Sequence, residues 1–381
     1  MKEAPSACPS PSILHINTEP TWRGGESQAF NLMMGLRSAG HRVCAAALPG
    51  SAIAKRCAEA GLPVFQVKMA GDLDLGGASR IARFARAGRF DLLHAHTARA
   101  HAIGLLARIL GAPGKLVVHR RLDFPVSTNM ISRLKYHSRR VDLYIAVAGV
   151  IREILIAAGV PPGKVTVVHS SIDVSRFEEA RARRIEIGTE VRREIGLPAR
   201  GPVIGNVAAL AGHKAQKDLI AAMPAILREI PEAHLVIVGD GEERSSLEAQ
   251  ARSAGLIDRI RFTGFRGDVP RLLAAFDLFA MSSRLEGFCN SVLEAFAVEI
   301  PVVATCAGGL PEMVRDGDTG LLAPVGDPAA LAAGIMRIFR DPALGKRLAA
   351  SGRRLVESEY TVERMVERTR QAYAGLLTRS I

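Results

Sequence analysis

The sequence has little of what builds covalent or metallic frameworks. Its five cysteines (Cys8, Cys44, Cys57, Cys289 and Cys306) are odd in number and widely spaced. No C-x-x-C pair occurs, which argues for reduced thiols rather than a disulfide scaffold or a cysteine zinc site. Aromatic residues make up only 5%. With no finger, sheet or zipper motif beside them, nucleic acid is not expected as a partner. Apolar runs are short, and Arg108 interrupts the segment 102–110, so no membrane-spanning helix is expected. Residues 1–6 (Met-Lys-Glu-Ala-Pro-Ser) contain no apolar stretch, so no signal peptide is expected and a cytoplasmic location is. Acidic residues are also in deficit: 38 Asp and Glu face 50 Lys and Arg, a formal charge of +12. From Arg80 to Lys135 the only acids are Asp91 and Asp123. Such a surface attracts an anionic membrane leaflet or an acidic substrate, so peripheral contact with the inner face of the membrane is expected. An ordinary solvated basic surface fits the same residues equally well.

What is present is apolar and periodic. Hydrophobic residues reach 48% over 381 positions, enough for two cores rather than one. Short apolar runs alternate with helical stretches. Runs at 12–16, 43–48, 64–67, 91–94, 116–119, 143–147 and 165–168 read as strands. Helices are expected over 28–36, 53–60, 78–87, 100–110, 130–138 and 150–158, with Gly24 and Gly25 in the turn before the first. A charge-rich stretch, 176–194, breaks the rhythm. Strands then resume at 203–207, 235–238, 260–262, 276–281 and 302–304, with helices at 217–229, 247–254 and 290–298, and the chain reads helical after 328. Buried strands with intervening helices predict parallel sheets covered on both faces. The fold class expected is α/β, with two Rossmann-like domains facing a cleft. The expected bounds are 1–176 for the first domain, 177–198 for a linker, 199–358 for the second domain, and 359–381 for a C-terminal helix returning to the first.

The strongest chemical signal is the run Arg284-Leu285-Glu286-Gly287-Phe288-Cys289-Asn290-Ser291-Val292-Leu293-Glu294, which follows a strand and opens a helix. Gly287 lets backbone approach a ligand, and the amides of a helix start suit a diphosphate. Glu286 and Glu294, measured along a helix, would stand roughly 10 Å apart. That span fits one carboxylate on sugar hydroxyls and one on ribose hydroxyls. The ordinary alternative is a helix start with one solvated Glu. His96 and His119 each end a predicted strand and are candidate catalytic residues, although a strand-end His is as often a structural hydrogen-bonder. His15 and His94 are expected to pack within strands. Arg120 and Arg121, after His119, are candidates for an anionic acceptor, or simply a basic loop. His94-Ala95-His96 has metal-like spacing, but no carboxylate or Cys nearby completes a set, so no metal is expected.

The Glu286 run resembles the E-x7-E motif of family 4 retaining glycosyltransferases, which share the GT-B fold. Other pieces follow in that family's order. Gly24-Gly25-Glu26 is similar to its donor-phosphate loop, Asp91 to His96 to its D-x-x-H-x-H strand end, and Ser170 to Phe177 to its N-G-V-D-x-x-x-F stretch. Val236 to Gly241 is similar to its V-G-x-G turn and Ala307 to Glu312 to its G-G-x-P-E loop. Three departures matter: Ala209 stands where the family has a phosphate-binding Arg, Cys289 stands where Gly or Pro is common, and Ser170-Ser171 replaces Asn-Gly. Lys214 matches the family Lys; His213, Lys217 or Arg284 would then supply the missing charge.

The resemblance implies a metal-independent, retaining hexosyltransferase without a cofactor. Its partners would be a nucleotide-sugar donor and a saccharide or lipid-linked acceptor, as in lipopolysaccharide-like envelope synthesis. Donor binding would fall to Gly24, Gly25, Lys214, Gly287, Phe288, Cys289, Asn290, Ser291 and Glu294, with Glu286 orienting the sugar. Competing readings are a nucleotide-sugar epimerase on the same scaffold and a non-catalytic basic scaffold. A Rossmann oxidoreductase is disfavoured because no G-x-G-x-x-G follows a strand.

Overall fold

A computed structural model describes residues 10–126 and 130–378. Cys8 and the segment 1–6 lie outside the described residues, as do 379–381 at the end of the last expected helix. The chain divides into two compact units. The first comprises the residues up to Arg121, Pro125–His169 and those from Val362 onward; the second comprises Leu122–Phe124 and Ser170–Thr361.

In the first unit the strands are β1 (Ser12–Asn17), β2 (Arg42–Ala47), β3 (Val64–Gln66), β4 (Leu92–Ala95), β5 (Lys115–Arg120), β6 (Leu143–Ala146) and β7 (Val165–Val167). They form one parallel sheet in the order β3-β2-β1-β4-β5-β6-β7. Every residue of β1, β4 and β6 is buried, as expected for a sheet with helices on both faces. The register sets His15 on β1 directly beside His94 on β4. The last helix, Val362–Thr378, packs on the helix Gly24–Ser38 through Met365, Val366 and Tyr373.

The second unit repeats the plan with β8 (Val203–Val207), β9 (His234–Val238), β10 (Ile260–Gly264), β11 (Leu278–Met281), β12 (Val302–Thr305) and β13 (Leu321–Ala323). All pairs are parallel, in the order β10-β9-β8-β11-β12-β13. Its core joins Ile204, Leu235, Ile237, Leu278 and Val303 to the helices Gln216–Glu229 and Pro328–Arg340. The charged stretch after Arg176 folds as helices, Glu178–Ala182 and Arg184–Glu194.

Three expectations need correcting. Gly24 and Gly25 do not form a turn ahead of the first helix; they are its first two residues. A strand was missed at Leu321–Ala323, too short to show a period. The helix after Glu286 begins only at Asn290, so Glu294 lies about one helical turn in. The eight-residue spacing from Glu286 is therefore half loop and half helix, not two turns of helix.

Each sheet reverses its winding once. The reversal falls between β1 and β4 in the first unit and between β8 and β11 in the second. Ligands of doubly wound sheets bind beyond the carboxyl ends of strands at such points.

Candidate active site

In the second unit the loops beyond β8, β11 and β12 converge on Glu286. The Lys214 ammonium donates to Glu286 Oε2 at 2.5 Å, and the Ser283 hydroxyl donates to the same oxygen at 3.2 Å. The Glu286 amide donates to Asp123 Oδ2 at 2.6 Å, and the Glu286 carbonyl accepts the Gly309 amide at 2.8 Å. Glu286 is 7% exposed and the Lys214 side chain 16%, so this pair is well shielded and held from four sides. Burial pulls the Lys214 ammonium down. The Glu286 carboxylate, the Cys289 thiol, the hydrogen bond and Asp123 outweigh it and leave Lys214 above its ordinary value. Lys214 is thus not the solvated helix lysine that its residue type alone suggests. It ends a 3-10 turn, Gly212–Lys214, followed by Ala215 in the left-handed region at φ +48°.

Gly308 explains how the β12 loop comes so close. Its φ is +50°, and a Cβ there would strike the Glu286 carbonyl and lie 2.8 Å from Asp123 Oδ2. Only glycine fits such a position without strain. Beyond β9, Gly239 adopts φ +137°, and a Cβ there would strike the Ala208 carbonyl. The Val-Gly-Asp-Gly turn therefore lies against Ala208, Ala209 and Leu210.

The helix Asn290–Ala297 starts without a side-chain cap at Cys289. Its first amides lack intrahelical acceptors, and the buried Asn290 Oδ1 has no partner. Cys289 and Ser291 contact one another through Sγ and Oγ at 3.3 Å, and burial pushes the Cys289 thiol up to about 12. It is a neutral thiol, not a nucleophile. Glu294 lies partly buried one turn on; burial raises its carboxyl to about 7, against a smaller opposing pull from Arg176. Gly287 and Phe288 complete the buried loop, Phe288 edge-on to Tyr360 at 5.4 Å.

The expected substitutes for the missing arginine do not all present free charge. Arg284 is exposed and pairs with Asp218 at 3.3 Å, His213 packs edge-on to Phe124 at 5.9 Å, and Lys217 is exposed. Ala209 is itself exposed, and its carbonyl accepts Gln216 at 3.1 Å.

In the first unit four histidines gather on β1, β4 and β5, with His15, His94 and His119 inside the strands and His96 just past β4. His15 Nδ1 and His96 Nε2 are 2.8 Å apart, His94 Nδ1 meets the Tyr373 hydroxyl at 2.6 Å, and His119 stacks parallel to His94 at 5.4 Å. Arg121 Nη2 reaches His96 Nδ1 at 3.3 Å and His119 Nδ1 at 3.4 Å. Burial drives His15 down to about 3 and holds His94, His96 and His119 well below the usual histidine range, with Arg121 adding to the last three. All four are therefore neutral at pH 7. A guanidinium only donates, so Nδ1 of His96 and of His119 accepts and each ring carries its proton on Nε2. His96 passes that proton's bond to His15. Arg120 donates to the Tyr136 hydroxyl at 2.5 Å.

Two features escaped the sequence reading. Asp123, read only as a stray acid, holds the Glu286 amide, and no local pattern announces this. His15 completes a group with His94 and His96 whose ligand atoms lie within 4.8 Å of one another. The group still contains no carboxylate or Cys; what the sequence reading missed is the third imidazole. Pairing β1 beside β4 would have revealed it. The mutual hydrogen bond and the adjacent Arg121 cation nevertheless oppose a metal there.

Two doubly wound parallel units, with polar side chains collected at the winding reversals, define a nucleotide-handling α/β enzyme. Residues 188–355 match the family described as glycosyl transferases group 1, and residues 22–176 match glycosyltransferase family 4. The protein belongs to the family 4, group 1 glycosyltransferases. Among its relatives is the N-acetyl-alpha-D-glucosaminyl L-malate synthase of Bacillus anthracis, 27% identical over 310 residues, 80% of each chain. The lipopolysaccharide core biosynthesis glycosyltransferase LpsE of Rhizobium meliloti is 34% identical over 186 residues, 49% of this chain and about half (52%) of that relative. Anabaena Alr3699/HepE, solved with UDP and glucose, shares the fold at a TM-score of 0.82 and 24% identity, covering 96% of this chain and all (100%) of that one. Among the described residues, no helix is long and apolar enough to cross a membrane.

Proposed function

We propose that the protein transfers a hexose-type sugar from a nucleotide-sugar donor to a saccharide or lipid-linked acceptor in cell-envelope glycan synthesis. Anomeric configuration is retained, and neither metal nor cofactor takes part. The observation that carries this reading is the shielded Lys214–Glu286 pair set against the uncapped start of the Asn290–Ala297 helix, with Glu294 one turn on.

In this reading the diphosphate lies on the amides of residues 288–291 beside Lys214, and Glu294 takes the ribose hydroxyls. Donor charge then replaces Glu286 as the partner of Lys214, freeing Glu286 to orient the sugar. The bond from the anomeric carbon to the diphosphate oxygen breaks. The acceptor oxygen bonds to that carbon from the same face, and its proton passes to the departing phosphate. Fixed donors aimed at growing negative charge supply the main acceleration. His96 and His119 present neutral imidazoles to the sugar, Arg121 serves the acceptor, and the amides at Gly24 and Gly25 favour an anionic group. Exposed Met130 and Leu134, beside Arg133 on the helix Met130–Tyr136, suit peripheral contact with an anionic membrane. The Rhizobium relative, named for lipopolysaccharide core synthesis, supports an envelope acceptor.

The test is product analysis. UDP-, GDP- and ADP-sugars are supplied with EDTA and a panel of envelope saccharides, and the anomeric proton of the product is read by NMR. A glycoside of unchanged configuration supports the reading. A free epimerised nucleotide sugar, or inversion, overturns it.

A further inference from the structure

Arg121 is a cation with unfinished bonding. Only Nη2 has acceptors, the two imidazoles; Nε and Nη1 are sealed from solvent with no partner. The charge is strongly desolvated, and burial lowers the guanidinium to about 10, against a smaller opposing pull from Glu26. The Glu26 carboxylate accepts from Asn17 Nδ2 at 3.3 Å rather than from the guanidinium. Buried guanidinium nitrogens without acceptors are costly unless a ligand supplies them.

The surroundings are those of an anion site. The Arg121 stem lies over the first turn of the Gly24–Ser38 helix, where a Cβ on Gly25 would sit 3.6 Å from its Cδ. That helix has no side-chain cap at Arg23, and with the Glu26 amide taken by its own carboxylate its remaining first-turn donors are the Gly24 and Gly25 amides. His119 is 4% exposed, and its Nε2 has no partner either. With Nδ1 accepting from Arg121, that Nε2 carries a proton and is a donor. Three kinds of donor and one cation are thus left unused.

We propose that Arg121, with the His119 imidazole and the start of the Gly24–Ser38 helix, binds an anionic group, carboxylate or phosphate, carried by the acceptor. The acceptor assignment rests on the glycosyl-transfer reading; the anion site does not. A wholly neutral acceptor would leave this cation unpaired in the complex.

The test is an NMR titration of the full chain with labelled imidazoles, first saturated with whichever of UDP, GDP or ADP it binds. Methyl phosphate, acetate and neutral methyl glucoside are added in turn, with chloride at equal ionic strength as the control. The expected result is saturable movement of the His119 and His96 signals with one or both anions and none with the glucoside. Arg121→Gln is expected to weaken the response by roughly tenfold or more, with Arg121→Lys recovering part of it. Signals that move with nucleotide alone and not further with either anion would overturn the acceptor assignment in favour of the donor phosphates. No movement with anything, or equal movement in Arg121→Gln, would overturn the site itself. Should the Gln variant fail to fold, wild type against the chloride control still decides. If no nucleotide binds, the same titration on the free protein tests the anion site while the donor reading fails separately.

Discussion

The two units gather polar side chains at equivalent topological points and treat charge in opposite ways. Beyond β8 and β11 a cation meets its anion directly, Lys214 on Glu286 at 2.5 Å, with Ser283 on the same carboxylate oxygen and Asp123 accepting the Glu286 amide. On β1, β4 and β5 the imidazoles are stripped of charge by burial, and the Arg121 cation is shared between two neutral rings. A paired site suits a ligand that exchanges for one partner of an existing pair. A neutral, donor-rich site suits a ligand that brings the missing anion. Equivalent folds thus supply two different electrostatic environments through side chains alone.

The largest expected effect lies in the paired site. Glu286→Ala strands Lys214 and removes the sugar's carboxylate, so turnover should fall about 100-fold or more, checked by steady-state kinetics. A rise in KM alone would place Glu286 in donor binding. Lys214→Ala is expected to be of similar size. Next comes Asp123→Ala, which leaves the buried Glu286 amide without an acceptor at a cost of about 1–3 kcal/mol. Thermal melting should show the loss, with a drop in turnover if Asp123 also fixes the Glu286 loop.

Glu294 gives the contrast a pH dependence. Its carboxyl, raised to about 7 in the free protein, accepts two ribose hydroxyls best when ionised. Nucleotide affinity should therefore fall as pH drops below about 7, and Glu294→Gln should flatten that profile. The histidine site has a different signature. Unfolded imidazoles take up protons below about 6.5, whereas the buried ones resist, His15 down to about 3. Between those values the unfolded chain binds more protons, so stability falls as pH drops. Melting temperatures at pH 7.5 and 5.5 should differ less in His15→Gln than in wild type. The smallest effect is the removal of metal: EDTA should leave turnover unchanged, and its loss would return the His15, His94 and His96 group to consideration as ligands.

The paired site was largely legible because one contiguous run carries it. Glu286, Gly287, Asn290 and Glu294 all lie within a single strand-to-helix passage, and their residue types state the chemistry in order. Its supports were not legible. Asp123 reaches Glu286 from a distant part of the chain, and nothing in its neighbours in sequence points there; Gly308 was marked only through the family resemblance of Ala307 to Glu312, not for its contact with Glu286. The histidine site was visible only as scattered candidates, His96, His119 and Arg121. What unites them is strand order, since His15 meets His94 only because β4 pairs beside β1. The strands themselves were found with small shifts, because buried parallel strands are continuously apolar. The brief β13 offers too few residues for a period, and glycines at 24 and 25 masked a helix start.

The central claim is a metal-free nucleotide site on the Asn290–Ala297 helix, and calorimetry tests it most directly. UDP, GDP and ADP are titrated into the full chain with EDTA present, in wild type and in Glu294→Ala. The account expects one nucleotide to bind in the micromolar range and to lose about ten- to a hundredfold in affinity in the variant. Binding that is unaltered by Glu294→Ala, or no binding of any of the three, would contradict it.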